Sequence, residues 1–289
     1  MIPMACRRRV QCIPPSKSPP SKLGGDFVDL WPIVQKWVAQ VSLTLTADTD
    51  RASRVTLNGA IMLDILRHQI EYYRARAPEY DDWFYRRDRY GHGEAHTRRW
   101  QREIQRVRDR LYRVSDLGHI LELAPGTGIW TAELIQIGER VSALDASPEM
   151  IAINRAKLGS ERVDYQLVDL FRYQPARQYD MVFFGFWLSH VPADKLPRFL
   201  KTVHDALKPG GRLFLVDSRA VDLAKNRTGT ANLGADLQRR ALKDGRQFDI
   251  VKVYYDPAAL TETLRAHGFD IEVEETENFF IYADGRKRA

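Results

Sequence analysis

Apolar side chains recur along this chain with two different periods, and the change from one to the other falls near Gly118. Upstream the period is helical. Phe27, Leu30, Trp31, Val34, Trp37, Val38 and Val41 predict an amphipathic helix, with Asp29 as its cap and Pro32 in its first turn. A second helix is expected over 61–76, along Met62, Leu66, Ile70 and Tyr73, and Pro78 closes it. A third, near 96–114, places Trp100, Ile104, Val107, Leu111 and Val114 inward and Arg98, Arg102, Arg106, Arg110 and Arg113 outward. That arginine side reads as a solvated face paired to Glu103 and Asp109 in preference to an anion-binding stripe. Residues 1–25, broken by Pro14, Pro15, Pro19, Pro20 and the Gly24–Gly25 pair, read as a disordered leader, and the Thr-rich stretch 44–58 as a linker.

Downstream the pattern becomes short apolar runs alternating with helical segments, which predicts a parallel sheet covered on both faces. Strands are expected at 120–124, 141–145, 163–169, 181–185, 212–217, 271–275 and 279–283. Helices are expected near 130–138, 148–158, 194–207 and 257–267, the last stopped by Gly268. Residues 219–246 read as an irregular polar insertion, with room for one more strand over 250–255.

The chain has 289 residues, 44% of them apolar, enough for one large α/β domain with helical additions. Its net charge of +6 is concentrated: Arg7, Arg8, Arg9, Lys17 and Lys22 lie in the first 22 residues with no acid among them. Removing these five from 44 basic residues leaves 39 against 38 acidic, a nearly neutral body that argues against a nucleic-acid polymer as substrate. The two cysteines, Cys6 and Cys12, also fall in the leader, which excludes a disulfide framework, a Cys-ligated zinc and a cysteine nucleophile from the core. No run of eighteen apolar residues occurs, and Arg7–Arg9 is followed by Pro, Ser and Lys. The expectation is therefore a cytoplasmic protein without signal peptide or membrane span.

The chemistry starts in the run Ile-Leu-Glu-Leu-Ala-Pro-Gly-Thr-Gly, residues 120–128, which ends one strand and opens a helix. A glycine-rich turn there lets a nucleotide-like ligand approach the backbone. A dinucleotide fingerprint would need a third glycine at the position of Thr131, and this turn instead carries Glu122 four residues before Gly126. That favours a ligand lacking a pyrophosphate and bearing a cationic amino-acid tail. Asp145 and Asp169 close the next two strands. Each acid alone reads as a cap or turn residue, but three at successive strand ends beside a Gly-x-Gly turn do not.

On these motifs the chain resembles, over about 118–283, the class I S-adenosylmethionine-dependent methyltransferases. The resemblance implies an α/β, Rossmann-like, seven-stranded and mostly parallel sheet in the order 3-2-1-4-5-7-6, its last strand antiparallel, with added N-terminal helices. It implies a helical lid or arm over 26–116 and a catalytic domain over 117–289, with 219–246 as a substrate cap. Gly126, Thr127 and Gly128 would then border the methionine moiety, and Glu122 would organise the turn or the ammonium end through water. Asp145, with Ala146 beside it, would accept from the ribose hydroxyls, Ser147 and Met150 would flank the adenine, and Asp169 and Leu170 would hold its amino group. Phe186 would complete the cofactor pocket. The stretch Glu-Tyr-Tyr-Arg-Ala-Arg-Ala-Pro-Glu-Tyr-Asp-Asp-Trp, 71–83, resembles the lid of small-molecule methyltransferases, where Tyr73 and Tyr80 would close over the cofactor's carboxylate. Tyr73 equally continues the core stripe of its helix. Lys-Pro-Gly-Gly-Arg at 208–212, turning into the fifth strand, is a further shared feature.

After the fourth strand stands Gly-Phe-Trp-Leu-Ser-His, 185–190, where enzymes acting on exocyclic amines of nucleobases carry Asn/Asp-Pro-Pro-aromatic. Phe186 and Trp187 suit a small organic acceptor, because such pockets are largely apolar with a few polar groups. His190 is the candidate catalytic base and a substrate contact, against the alternative of a hydrogen bond to a neighbouring loop. Methyl transfer from a sulfonium also proceeds by positioning alone. His92 and His96 raise a metal reading but have no assigned acid partner, so no metal is expected. The expected reaction moves a methyl group from S-adenosylmethionine to an O, N or C atom of a small molecule, leaving S-adenosylhomocysteine. The rivals are an RNA-modifying methyltransferase and a non-catalytic interaction protein on the same fold. Packing of the 27–41 helix on the body and a homo-oligomer formed through it both stay open.

Overall fold

A parallel strand buried on both faces must be apolar along its length, and β4 (Tyr179–Gly185) meets that demand: Met181, Val182, Phe183 and Phe184 are fully buried. The structure is a computed structural model that describes residues 50–219, 230–234 and 236–288. The expected leader, the 27–41 helix and any contact through it lie outside the described residues. By its internal contacts the chain divides into Met1–Thr56 and Leu57–Ala289. Apart from the start of one helix, all that follows concerns the second unit.

Strands β1 (Leu117–Leu123), β2 (Gly138–Asp145), β3 (Val163–Leu167), β4 and β5 (Leu207–Ser218) pair in parallel in the order β3-β2-β1-β4-β5. β11 (Phe280–Lys287) joins antiparallel to β5. The far edge holds two short strands, β9 (Phe269–Asp270) and β10 (Val273–Glu275), both paired to β11. The sheet thus carries eight strands instead of seven, and departs from the expected order only in that its sixth place is divided.

Side chains alternate between the two faces, as the pleat requires. Leu121, Leu123, Val182, Phe184, Leu213 and Leu215 pack with helices α6 (Leu196–Ala206) and α7 (Pro257–Ala266). Ile120, Val141, Met181, Phe183, Phe214 and Val216 pack instead with α3 (Glu94–Leu111) and α4 (Thr131–Ile137). α5 (Pro148–Leu158) starts where Ser147 Oγ accepts the Met150 N–H at 3.2 Å and Pro148 occupies the first turn. α7 starts the same way on Asp256, whose carboxylate accepts from Ala259 N at 2.9 Å.

Three sequence expectations change. The helix expected from 61 is α1 (Asp50–Arg76), so much of the expected linker is helical. One glycine, Gly59, and no proline stand in its way. Asp169 lies two residues beyond the end of β3, in a loop. Within the stretch read as irregular, β6 (Thr230–Gly234) and β7 (Leu237–Ala241) form a separate antiparallel sheet with β8 (Gln247–Val251), which overlaps the extra strand expected at 250–255. α1 packs on that sheet through Ile65, Leu66 and Val251 and through Tyr72, Leu242 and Ile250. Gln69 fastens the join, accepting from Val251 N at 3.1 Å and donating to the His190 carbonyl at 3.1 Å.

Candidate active site

At the carboxyl rim of β1, β2 and β4 the backbone takes conformations that side chains rarely adopt. Ala124 and Phe186 sit at φ +55° and +57°, a strain that persists only where the surroundings enforce it. Both border a cavity that also takes in Gly126, Asp145, Ala146, Met150, Asp169 and Leu170. Asp145 accepts from Gly126 N at 3.0 Å and Ser147 N at 2.8 Å. Burial nevertheless pushes its carboxyl up to about 6, against those hydrogen bonds. Asp169 accepts from Phe171 N at 3.0 Å, and Met150 and Leu170 give an apolar wall.

Behind the loop, Glu122 is buried on β1 and burial pushes its carboxyl up to about 8; a hydrogen bond from Thr131 opposes this and the charge of Asp145 adds to it. Its Oε2 has no partner among the described residues. Glu122, Thr127 and Gly128 do not line the cavity. Thr127 donates to Asp81 Oδ1 at 2.6 Å, on the short helix α2 (Tyr80–Phe84). Gly128, at φ +89°, makes way for Asn154, because a Cβ there would meet Asn154 Oδ1 at 2.5 Å. Asn154 donates to Thr131 Oγ1 at 2.9 Å and accepts from the Tyr165 hydroxyl at 2.8 Å. It is fully buried, and its place in the sequence gave no sign of this role.

A second, larger cavity of about 290 Å³ opens on the other side of Tyr73, Tyr80, Phe186 and His190, which line both. Its walls include Arg76, Arg86, Arg89, Arg219, Arg240 and Lys252, and among the described residues no carboxylate lines it. Some of these cations are already engaged. Lys252 donates to Ser189 Oγ at 2.6 Å and meets Asp217 at 3.2 Å, and Arg219 meets Glu275 at 2.7 Å.

Arg76 and Arg86 are not paired in this way. Arg76 is buried among Tyr72, Tyr80, Trp83 and Tyr90, its guanidinium carbon 5.2–5.8 Å from their ring centres. Arg86 lies 3.3 Å over Trp100. Burial, then the neighbouring Arg76 charge, pulls Arg86 down to about 9. A guanidinium keeps its proton at neutral pH, so that shift marks a positive charge without a counter-ion. The Nε atoms of Arg76, Arg86 and Arg240 have no hydrogen-bond partner among the described residues.

His190 is buried in the turn after β4. Its Nδ1 is 2.7 Å from the Val251 carbonyl, which can only accept, so the ring proton resides there. Its Nε2 is 2.6 Å from the Tyr73 hydroxyl and accepts the phenol's hydrogen bond. Burial, with the Lys252 charge next, holds His190 well below the usual histidine range. Trp187 lines the first cavity. His92 and His96 stack edge to face, 4.9 Å apart, on the wall of the second. On the inward face of α3, among Trp100, Ile104 and Val107, Glu103 turns out to be buried. It accepts from Asn278 N at 3.1 Å, Asn278 Nδ2 at 2.6 Å and Phe279 N at 3.0 Å, and so fixes a loop that lines the second cavity. The arginines of α3 pair elsewhere: Arg98 with Glu94, Arg108 with Glu133 and Arg110 with Asp284.

The first cavity fits a nucleoside carrying positive charge. Asp145 on its wall, and Glu122 behind the loop, are held above their ordinary range, a Cβ at Gly126 would have only Tyr80 within reach, at 4.0 Å, and apolar side chains supply a slot for a base. No helix among the described residues is long and apolar enough to cross a membrane.

The chain resembles known proteins. A family described as "Methyltransferase domain" matches residues 120–211. The ubiquinone biosynthesis O-methyltransferase of Xanthomonas axonopodis pv. citri (strain 306) is 29% identical over 174 residues, covering 59% of this chain and 69% of that protein. The solved complex of DhpI with SAH, S-adenosylhomocysteine, is 38% identical, covers 78% of this chain and 97% of DhpI, and superposes with a TM-score of 0.63. A complex of DhpI with SAM and HEP is 39% identical, covers 77% and 97%, and has a TM-score of 0.65. Likeness of this extent over nearly the whole of DhpI, together with the acid-rimmed cavity, assigns the chain to the class I S-adenosylmethionine-dependent methyltransferases that act on small molecules.

Proposed function

We propose that this enzyme methylates an oxygen of a small organic acid, with S-adenosylmethionine along the rim of β1, β2 and β3 and the acid in the arginine-lined cavity. One observation carries the reading. The acid–base character of the side chains changes across the wall of Tyr73, Tyr80, Phe186 and His190: carboxyls held above their ordinary range, ready to ionise against a cation, stand on one side, and guanidiniums without a counter-ion stand on the other. Unpaired buried charge is destabilising, and the two cavities would be relieved by a cationic and an anionic ligand respectively.

S-adenosylmethionine supplies an electrophilic methyl group on a sulfonium. In this reading Asp145 accepts from the ribose hydroxyls, Met150 and Leu170 sandwich the base, and Asp169 with Leu170 holds its edge. Glu122 and Asp145 offset the ligand's positive charge from below. Arg76, Arg86 and Arg240 hold the acid and neutralise it, while Tyr80, Trp83 and Trp100 exclude water. Orientation of this kind supplies much of the rate for a displacement whose partners are already reactive.

His190 is neutral, with both ring nitrogens occupied, so the reading gives it no role as a base. The acceptor oxygen must then arrive ionised, as in a phosphonate, a phosphate monoester or a carboxylate. Supporting analogies are the oxygen specified in the name of the ubiquinone biosynthesis O-methyltransferase and the SAM and HEP bound together by DhpI. The enzyme is proposed to work in the cytoplasm without nucleic acid, the arginines of α3 being in part paired within the fold.

The test is release of S-adenosylhomocysteine against a panel of alkyl and aryl phosphonates, phosphate monoesters and carboxylates, with phenols and amines of matching shape alongside. Turnover is expected from the acids. Turnover confined to phenols or amines would overturn the reading.

A further inference from the structure

The pair formed by Tyr73 and His190 has a direction. The Val251 carbonyl has no proton to give, so the His190 Nδ1–H donates to it and Nε2 is left as an acceptor. The 2.6 Å contact to Tyr73 then runs from the phenol to the imidazole. A phenol has one proton, and here it is committed, so the oxygen's remaining lone pairs can only accept. The arrangement is braced from two elements. Gln69, one turn before Tyr73 on α1, bonds both the His190 carbonyl and Val251 N, and the Tyr73 ring packs edge-on against His190 and Tyr72 at 5.2 and 5.0 Å. Tyr73 and His190 both stand in the wall shared by the two cavities.

We propose that His190 is a positioning residue for Tyr73, fixing the phenol oxygen as a hydrogen-bond acceptor for the polarised methyl group that crosses between the cavities. The proposal rests on the cofactor reading of the first cavity. It replaces a base with an oriented dipole: no proton leaves the acceptor through Tyr73, because passing it on would place an imidazolium beside Lys252, Arg240 and Arg76, the charges that already disfavour it. A carbon-bound methyl hydrogen is a weak donor in general and a stronger one when its carbon bears a sulfonium, since donor strength grows with positive charge.

The test is calorimetric and needs no acceptor. Sinefungin carries a protonated amine where S-adenosylmethionine carries its methyl group, whereas S-adenosylhomocysteine has nothing there. For Tyr73→Phe, sinefungin is expected to bind at least tenfold more weakly than to the unaltered enzyme, and S-adenosylhomocysteine within threefold. His190→Gln keeps an acceptor near the Nε2 position and should preserve the preference for sinefungin. His190→Asn keeps only a donor for Val251 and should lose the preference as Tyr73→Phe does. Equal weakening of both ligands in Tyr73→Phe, no weakening of either, or equal losses in the two His190 variants would overturn the proposal. Failure of the unaltered enzyme to bind S-adenosylhomocysteine would instead remove the cofactor reading beneath it.

Discussion

Replacing Glu122 by Gln should make the ligand-free protein more stable at pH 8 and change it little at pH 5. Glu122 is buried on β1, with one oxygen lacking a partner among the described residues, and its carboxyl is pushed up from 4.5 to about 8. The folded chain therefore binds this proton more tightly than the unfolded chain. The associated stability is complete below pH 4.5 and is lost as pH rises through 8. Each pKa unit corresponds to about 1.4 kcal/mol, so the rise from pH 5 to 8 removes on the order of 3 kcal/mol. Glutamine is uncharged throughout and removes that component, while Asp145, raised in the same sense, is present in both proteins. At about 2–4 °C per kcal/mol, the melting temperature of the variant minus that of the unaltered protein should grow by roughly 6–12 °C over this range. Thermal unfolding followed by circular dichroism in steps of pH gives the curve. Parallel pH profiles for the two proteins would refute the reasoning.

Gly128→Ala combines φ +89° with a Cβ placed 2.5 Å from Asn154 Oδ1. It should cost about 3 kcal/mol or more in urea unfolding. Arg86→Met removes a cation without a carboxylate partner and keeps an apolar side chain over Trp100. The melting temperature should rise while KM for an acid acceptor rises at least tenfold, the trade expected where a site stores unfavourable charge. Glu103→Ala strands the N–H groups of Asn278 and Phe279. A loss of about 3 kcal/mol is expected in urea unfolding, with a higher acceptor KM and an unchanged calorimetric Kd for S-adenosylhomocysteine.

The central sheet was legible because its signal is local. The runs around Val182 and Ile120 are apolar at successive positions, and the acids that end β1 and β2 announce themselves by their place after such runs. β6 and β7 were not legible, and β8 only at its end, because their faces carry few apolar residues in alternation and are joined in part by cross-strand charge pairs. Arg239 and Asp249 face each other across the register and bond at 2.7 Å, whereas a reader of the sequence sees two charges in a polar stretch. Gln69 and Arg76 fall at helical spacing from Met62, Leu66 and Tyr73 and are buried, but their polar groups do not announce their partners. One is needed by a backbone 182 residues away, the other by four rings drawn from α1, α2 and the turn after it. Glu103 looked like a partner for the arginines of α3 and is instead the anchor of residues 276–279. The anionic character of the second cavity's ligand was hidden for the same reason: its cations come from four separate stretches, and only folding brings them together without an acid.

The most direct measurement is a calorimetric titration of phenylphosphonate into the enzyme saturated with S-adenosylhomocysteine, with phenol titrated in parallel. Binding of the phosphonate at one site is expected, weakened by added salt and by Arg86→Met, with no detectable heat from phenol. Phenol binding as tightly as the phosphonate, or phosphonate binding indifferent to both salt and Arg86, would contradict a cavity built to hold an anion against the sulfonium.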